Sequence, residues 1–255
     1  MRNTLTICGK EVKSYFNSPI AYLLLTMVAV LFGYFLFIYT QFFVVNGMRA
    51  QMQGQSQPMN VNEMAIVPAL NTAAVIILFL IPMISMRLFA EENRQGTMEL
   101  LLTSPVRDWE IVLGKWMGSM VMYSALLAVS MLGVALLFNY GTPDWRPLAA
   151  AYLGMLLQGG CLLAIGTFIS TTTKNQIVAA GATFAVCLLL WVLDSVSQFQ
   201  QAAWAKGIAY LSVLSHLEPF LRGVIDSKDV IFYLTMIFLG LFLTTRSLES
   251  LRWRS

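Results

Sequence analysis

Charge is scarce in this chain. Only 11% of its 255 residues are Asp, Glu, Lys or Arg, against about 25% in an ordinary soluble domain. So few charges cannot cover a surface that faces water on all sides, and a soluble globular protein is excluded. Histidine is reduced to His216 alone, which removes a histidine-based metal cluster within one chain. Cys8, Cys161 and Cys187 form no C-x-x-C pair, and the last two sit inside apolar runs. They read as small buried hydrophobes, not as a disulfide framework or zinc ligands. The phosphate-binding pattern G-x-x-x-x-G-K-[ST] is missing. Gly9-Lys10 and Gly114-Lys115 lack the glycine-rich lead-in whose N–H groups wrap phosphates. G-x-S-x-G, H-E-x-x-H and D-F-G are missing too, so the reading is of a chain that is not an enzyme and has no ATP site of its own. A net charge of +3 gives no reason to expect nucleic acid.

What the chain has instead is long apolar runs and a mean hydropathy of +0.70. Runs cover residues 20–43, 66–88, 113–138, 147–170, 177–196 and 229–245. At about 1.5 Å of rise per residue, about 20 residues cross the ~30 Å hydrocarbon layer. The expected fold is therefore an all-α polytopic membrane protein, one domain over residues 1–255, with six transmembrane helices. Pro68 and Pro82 would kink the second span. Gly154, Gly159, Gly160 and Gly166 give the fourth a face for close helix contact. Residues 1–19 read as an amphipathic helix lying at the membrane interface, stopped at Asn17-Ser18-Pro19. Residues 44–65 and 139–146 read as loops. Residues 197–228 are too polar to span and too apolar to float free, so short amphipathic or re-entrant outer helices are expected before the last span.

The span interiors hold almost no ionisable groups. Asp194 is the nearest exception, and an acid at the water interface is the simpler reading of it. A proton-coupled carrier and an ion channel are both disfavoured, so the energy for any work must come from a partner. Six spans put both termini on one side. Of the 16 basic residues, 11 fall on that side, among them Arg2, Lys10, Lys13, Arg87, Arg94, Arg107, Lys115 and Lys174. The positive-inside rule makes it cytoplasmic.

Between the second and third spans lies a charged segment, residues 89–112. Gly96 can end a helix continuing from the second span. Thr97 can cap a new short helix, with Glu99 complementing its dipole. Ser104-Pro105 is a stop and a restart. The expected product is a short rigid helix with Met98, Leu101 and Leu102 beside a charged edge, shaped to dock into a groove on a soluble partner.

The string Arg87-Leu88-Phe89-Ala90-Glu91-Glu92-Asn93-Arg94-Gln95-Gly96-Thr97-Met98-Glu99-Leu100-Leu101-Leu102-Thr103-Ser104-Pro105-Val106 resembles the E-E-x-x-x-G-T-x-E-x-L-x-x-x-P signature of the ABC type-2 permeases. Thr173-Lys174-Asn175-Gln176 is similar to that family's second cytoplasmic turn. The order of elements resembles the family over the whole chain, nearest to its gliding-motility and copper-enzyme-maturation branch. The resemblance implies the membrane half of an ATP-driven exporter in the bacterial inner membrane. Two separate ATPase chains would carry the ATP and magnesium. A second permease chain, identical or related, would complete the translocation path. Glu91, Glu92, Arg94, Gly96, Thr97, Glu99, Leu102, Ser104 and Pro105 would form the main coupling helix, Lys174 and Asn175 the smaller contact, and the N-terminal helix a connecting helix beside the ATPase. The same likeness leaves open a mechanotransmission module that uses ATPase strokes to drive periplasmic or surface machinery and carries no substrate.

Simpler readings prevail elsewhere. The fifteen methionines are scattered, and flexible packing explains them better than copper handling. His216 near Glu218 suggests a metal pair less strongly than a satisfied structural histidine. Arg49 and the Gln-rich loop offer a surface for a periplasmic partner.

Overall fold

The computed structural model describes residues 2–53, 60–98, 106–139, 143–199 and 210–252; side chains 194–199 and 251 are not among those described. Helices dominate. The order is α1 (Arg2–Phe16), α2 (Pro19–Met52), a π-turn (Asn62–Ile66) running into α3 (Val67–Ser85), α4 (Ala90–Gln95), α5 (Asp108–Leu137), α6 (Trp145–Thr171), α7 (Gln176–Phe199), α8 (Glu218–Leu221) and α9 (Ser227–Arg252). Six stretches are long and apolar enough to cross a membrane, beginning at Pro19, Asn62, Asp108, Trp145, Gln176 and Ser227. This is an all-α polytopic membrane protein.

Helices α3 and α6 form the centre, and α2, α5, α7 and α9 surround them. Leu70, Ala73, Ala74, Ile77, Leu78 and Ile81 of α3 are all buried, as are Met155, Leu162 and Leu163 of α6. The outer helices bury one stripe and expose the other, with Tyr22, Val30, Phe37, Leu132, Leu189 and Phe238 turned outward. Lipid tails are as apolar as these side chains, so close packing and hydrogen bonds, rather than apolar burial, hold spanning helices together. The glycines of α6 supply the packing. A Cβ at Gly159 would lie 2.2 Å from the Tyr123 ring of α5, at Gly154 2.5 Å from Phe220 of α8, at Gly166 2.4 Å from the Ser85 hydroxyl of α3. Interhelix hydrogen bonds supply the rest. Tyr123 donates to the Met155 carbonyl at 2.7 Å, Trp116 to the Gly160 carbonyl at 3.1 Å, and Tyr39 pairs with Thr72 at 3.0 Å.

Several helix ends differ from expectation. Helix α2 continues from Phe43 to Met52, because Val44, Val45, Met48, Ala50 and Gln51 all suit a helix and the single Gly47 costs only about 1 kcal/mol. Arg49 is thus on a helix, not in the loop; residues 54–59 of that loop are outside the described set. Pro68 follows directly on the π-turn, in the first turn of α3, where the wider winding of Asn62–Ile66 accommodates a residue without an N–H; Pro82 lies deeper inside α3. The helix of the second span does not continue to Gly96. It stops at Ser85, turns, and restarts at Ala90. Helix α5 begins at Asp108, so the last residues of the 89–112 segment are its first turn. The basic tail is helical to Arg252.

Helix α1 packs against the bundle along one side and leaves Leu5 exposed on another. Thr4 and Tyr15 are buried, and its inner face lies on the first three turns of α5. Before the last span, residues 210–217 are turns and α8 is a single helical turn; residues 200–209 lie outside the described set. His216 is buried there. Its Nδ1 is 2.6 Å from Asp229 Oδ1 and its Nε2 2.9 Å from the Tyr210 carbonyl, with the ring stacked on Phe232. Glu218 instead pairs with Arg222, so His216 is a structural tie between this segment and α9.

Candidate functional site

The end of the bundle that carries both termini, here the terminal end, concentrates ionic contacts that cross between distant parts of the chain. Lys115 is the centre. It stands in the second turn of α5 with its side chain 3% exposed. Its Nζ donates to Glu11 Oε1 of α1 at 2.7 Å and lies 2.9 Å from Glu92 Oε1 of α4. The ammonium also sits over the Phe89 ring, 5.1 Å from its centroid, a cation–π contact that strengthens where water is excluded. Lys10, largely exposed, adds a looser pair to Glu92 at 3.7 Å. One ammonium therefore ties three helices together.

The approach of α1 to Lys115 depends on two glycines. Gly114 and Gly118 bracket the lysine on α5. A Cβ at Gly114 would fall 2.8 Å from Ile7 Cβ, and one at Gly118 2.6 Å from Glu11 Cβ. This is the small-x-x-x-small spacing that lets helix backbones meet. Asn3 of α1 donates to Glu110 of α5 at 3.3 Å, and Glu110 also accepts the Arg107 N–H at 3.3 Å. Tyr15 anchors the far end of α1 on α3, donating to the Ile84 carbonyl at 2.8 Å. Burial pushes the Tyr15 phenol far above its ordinary range, with the Glu11 charge adding to the shift, so it stays a donor. Cys8, half-buried on the same helix, is also pushed up, by burial first and by Glu11 second.

Helix α4 is positioned by α6. Chain direction breaks between Ser85 and Ala90, which orphans backbone N–H groups at a new helix start. Ser170 of α6 fills the gap. Its hydroxyl accepts from the N–H groups of both Phe89 and Ala90 at 3.0 Å and donates to the Met86 carbonyl at 3.1 Å. Within α4, Glu91 accepts from Arg87 at 3.1 Å and from Gln95 at 3.2 Å. Gly96 ends the helix with φ 71° and ψ 5°, a left-handed conformation that a side chain makes costly. Helix α4 touches both α6 and α7, which brings it beside the α6–α7 turn. There Asn175 caps α7, its Oδ1 accepting from the Ile177 N–H at 2.9 Å.

The expected contact residues thus divide. Arg94, Gly96, Thr97, Lys174 and Asn175 are exposed at this end. Glu91 and Glu92 are half-buried and bonded within the chain. Glu99, Leu102, Ser104 and Pro105 lie outside the described residues, as does Leu101. Met98 corrects the expected docking edge: it is 6% exposed and packs into the core, because an apolar side chain this near the bundle finds an apolar home there. Sequence reasoning missed Glu11, Lys115 and Ser170. A signal existed for Lys115: it is a lone cation at the mouth of an apolar run, inside Gly114-x-x-x-Gly118. Ser170 had none.

Among the described residues no three His, Cys, Asp or Glu side chains gather as a metal site, and the terminal end is cross-braced by ion pairs between α1, α4 and α5. Residues 5–228 match the family model for ABC-2 family transporter proteins. The chain belongs to the ABC-2 transporter family. It is similar to the "Probable multidrug ABC transporter permease YbhR" of Escherichia coli strain K12, with 25% identity over 137 residues, 53% of this chain and 37% of that protein. The same protein of Escherichia coli O157:H7 matches to the same extent. The matched region spans well under half the length of these relatives.

Proposed function

We propose that this ABC-2 family chain is the membrane half of an ATP-driven exporter in a bacterial inner membrane, with the terminal end in the cytoplasm and ATPase subunits docked against it. Two ATPase chains hold the ATP and magnesium. A second permease chain, identical or related, completes the path between the two membrane halves. Drug-like cargo, taken from the name of the relatives, is part of the proposal.

The observation that carries the reading is the Glu11–Lys115–Glu92 cluster. A subunit that receives force from outside the membrane needs its contact surface fixed to its spans. Exposed Arg94 is on the short helix that Lys115 holds to α5, and exposed Gly96 and Thr97 follow directly on its end. Push on that surface, and α4, α1 and α5 move as one body. Residues 99–105, with Glu99, Leu102, Ser104 and Pro105, continue the proposed contact, and Lys174 and Asn175 flank it. Glu92 in this scheme positions α4 and does not itself touch the partner.

The test is reconstitution with the ATPase in sealed vesicles. Glu92→Lys and Gly96→Pro are expected to leave the chain inserted while ATP-dependent export falls at least tenfold. If both variants retain the ATPase on purification and export at the parent rate, the assignment of this end is wrong.

A further inference from the structure

The opposite, distal end of the bundle carries a cleft that the reading above does not use. Two adjoining concavities of about 350 and 300 Å³ lie between the head of α3 and the segment around α8. They share Val67, Leu221 and Arg222. Each is of the size that holds a small ligand. One wall is apolar, made by Val67, Pro147 and Leu221. The other is polar and acidic on balance, with Asn60 and Glu63 in the first concavity and Asn71 and Glu218 in the second.

The charges are unevenly spent. Arg222, the cation of the cleft, is paired with Glu218 four residues before it. Glu63 takes part in none of the ion pairs among the described residues. Its backbone is nonetheless fixed. Neighbouring Asn62 is buried, donates to the Asp144 carbonyl at 3.0 Å and accepts the Asp144 N–H at 3.2 Å, and its own N–H bonds Asn60 Oδ1 at 2.9 Å. The wide winding of Asn62–Ile66, a form enriched at functional sites, then turns Glu63 outward. An exposed carboxylate on a fixed backbone, outside the ion pairs of the described residues and beside an apolar wall, is half of a recognition site.

We propose that this cleft binds the primary ammonium group of an amphipathic molecule. Glu63 is the charge partner. The amide oxygen of Asn60, in the same concavity, is a further acceptor for its N–H donors. Val67, Pro147 and Leu221 take the alkyl part. The cleft lies where the stretches beginning at Asn62 and Trp145 start, and a span end is where headgroups lie, so the ammonium arrives either on an aminophospholipid or on a free amphipathic amine. The Arg222–Glu218 pair sets the second requirement: a phosphate next to the ammonium is tolerated, and a purely anionic headgroup meets Glu63 unfavourably.

The experiment uses the full chain, purified without ATPase, so its outcome is independent of the coupling reading. Native mass spectrometry counts the lipid retained from equal mixtures of phosphatidylethanolamine, phosphatidylcholine and phosphatidylglycerol, with dodecylamine as competitor. Phosphatidylethanolamine is expected to be retained about tenfold over the other two, the scale of one charge-assisted contact. Glu63→Gln removes the preference, Glu63→Asp keeps it, and Val67→Trp blocks retention by filling the cleft. Displacement by stoichiometric dodecylamine identifies a free amine as the better ligand, and displacement only at large excess identifies the lipid. Equal retention of the three lipids by the parent chain, or an undiminished preference in Glu63→Gln, overturns the proposal. If Glu63→Gln fails to fold, Glu63→Asp and Val67→Trp decide it alone.

Discussion

Replacing Lys115 by methionine keeps the length and apolar stem of the side chain and deletes only its ammonium. Two carboxylates, Glu11 and Glu92, are then left within about two hydrogen-bond lengths of each other with no shared cation. Both side chains are largely buried, at 13% and 14% exposure. Glu92 keeps only the largely exposed Lys10, 3.7 Å away, as a cation, and its Oε2 has no hydrogen-bond partner among the described residues. Like charges about 5 Å apart at an effective dielectric near 20 repel by ~3 kcal/mol, and deleting one member of a buried ion pair costs about 3–5 kcal/mol in general. The partial exposure of the two acids argues for the lower figure. About 3 kcal/mol corresponds to a fall of roughly 10 °C in unfolding midpoint for a chain of this size, read in detergent by intrinsic fluorescence. A triple variant, Lys115→Met with Glu11→Gln and Glu92→Gln, removes the stranded charges and recovers most of that loss. It does not recover ATP-coupled export, because neutral amides hold α4 less firmly. Lys115→Met unfolding within 2 °C of the parent would contradict the reasoning, and so would a triple variant no more stable than the single one.

Gly118→Val inserts a Cβ 2.6 Å from Glu11 Cβ; it should cost about 1–3 kcal/mol and lift α1 off α5, read as faster proteolysis within residues 1–18. Ser170→Ala leaves the Phe89 and Ala90 N–H groups without their acceptor. A loss of about 2 kcal/mol is expected, with hydrogen exchange at those two amides accelerating first. The Cys8 thiol is held above its ordinary range by burial and then by Glu11, so less thiolate is present near neutral pH than in a free cysteine. Alkylation at pH 7.5 should therefore be slow and climb with pH beyond the usual thiol titration. Glu11→Gln removes the second cause and shifts the profile toward lower pH; an unchanged profile would show that the charge has no part in it.

The six spans were legible because each is a long apolar run, and a helix in lipid must satisfy its backbone within itself. Their ends were less so. Residues 44–52 are polar enough to suggest a loop yet contain nothing that stops a helix. The break at Ser85 was hidden for the opposite reason: apart from Arg87 the sequence stays apolar from Met86 to Phe89, and the turn is held by a hydroxyl on another helix. Gly96 was legible because a left-handed helix end is a local property. The Lys115 cluster was not. Glu11 and Lys115 are 104 residues apart, and each looked like one more base or acid at a membrane border. Only their meeting at Gly114 and Gly118 separates them from the other charges at this end. Met98 misled for a related reason, since a helix edge alone does not reveal whether its apolar face meets a partner or its own bundle.

The central claim is that the terminal end is where the driving subunit sits. Site-specific photo-crosslinking in native membranes tests it most directly, with the reactive group placed at exposed Arg94 and, as a control at the distal end, at exposed Tyr210. A crosslink from position 94 to an ATP-binding subunit is expected, and none to that subunit from position 210. A crosslink from 210 with none from 94 would contradict it.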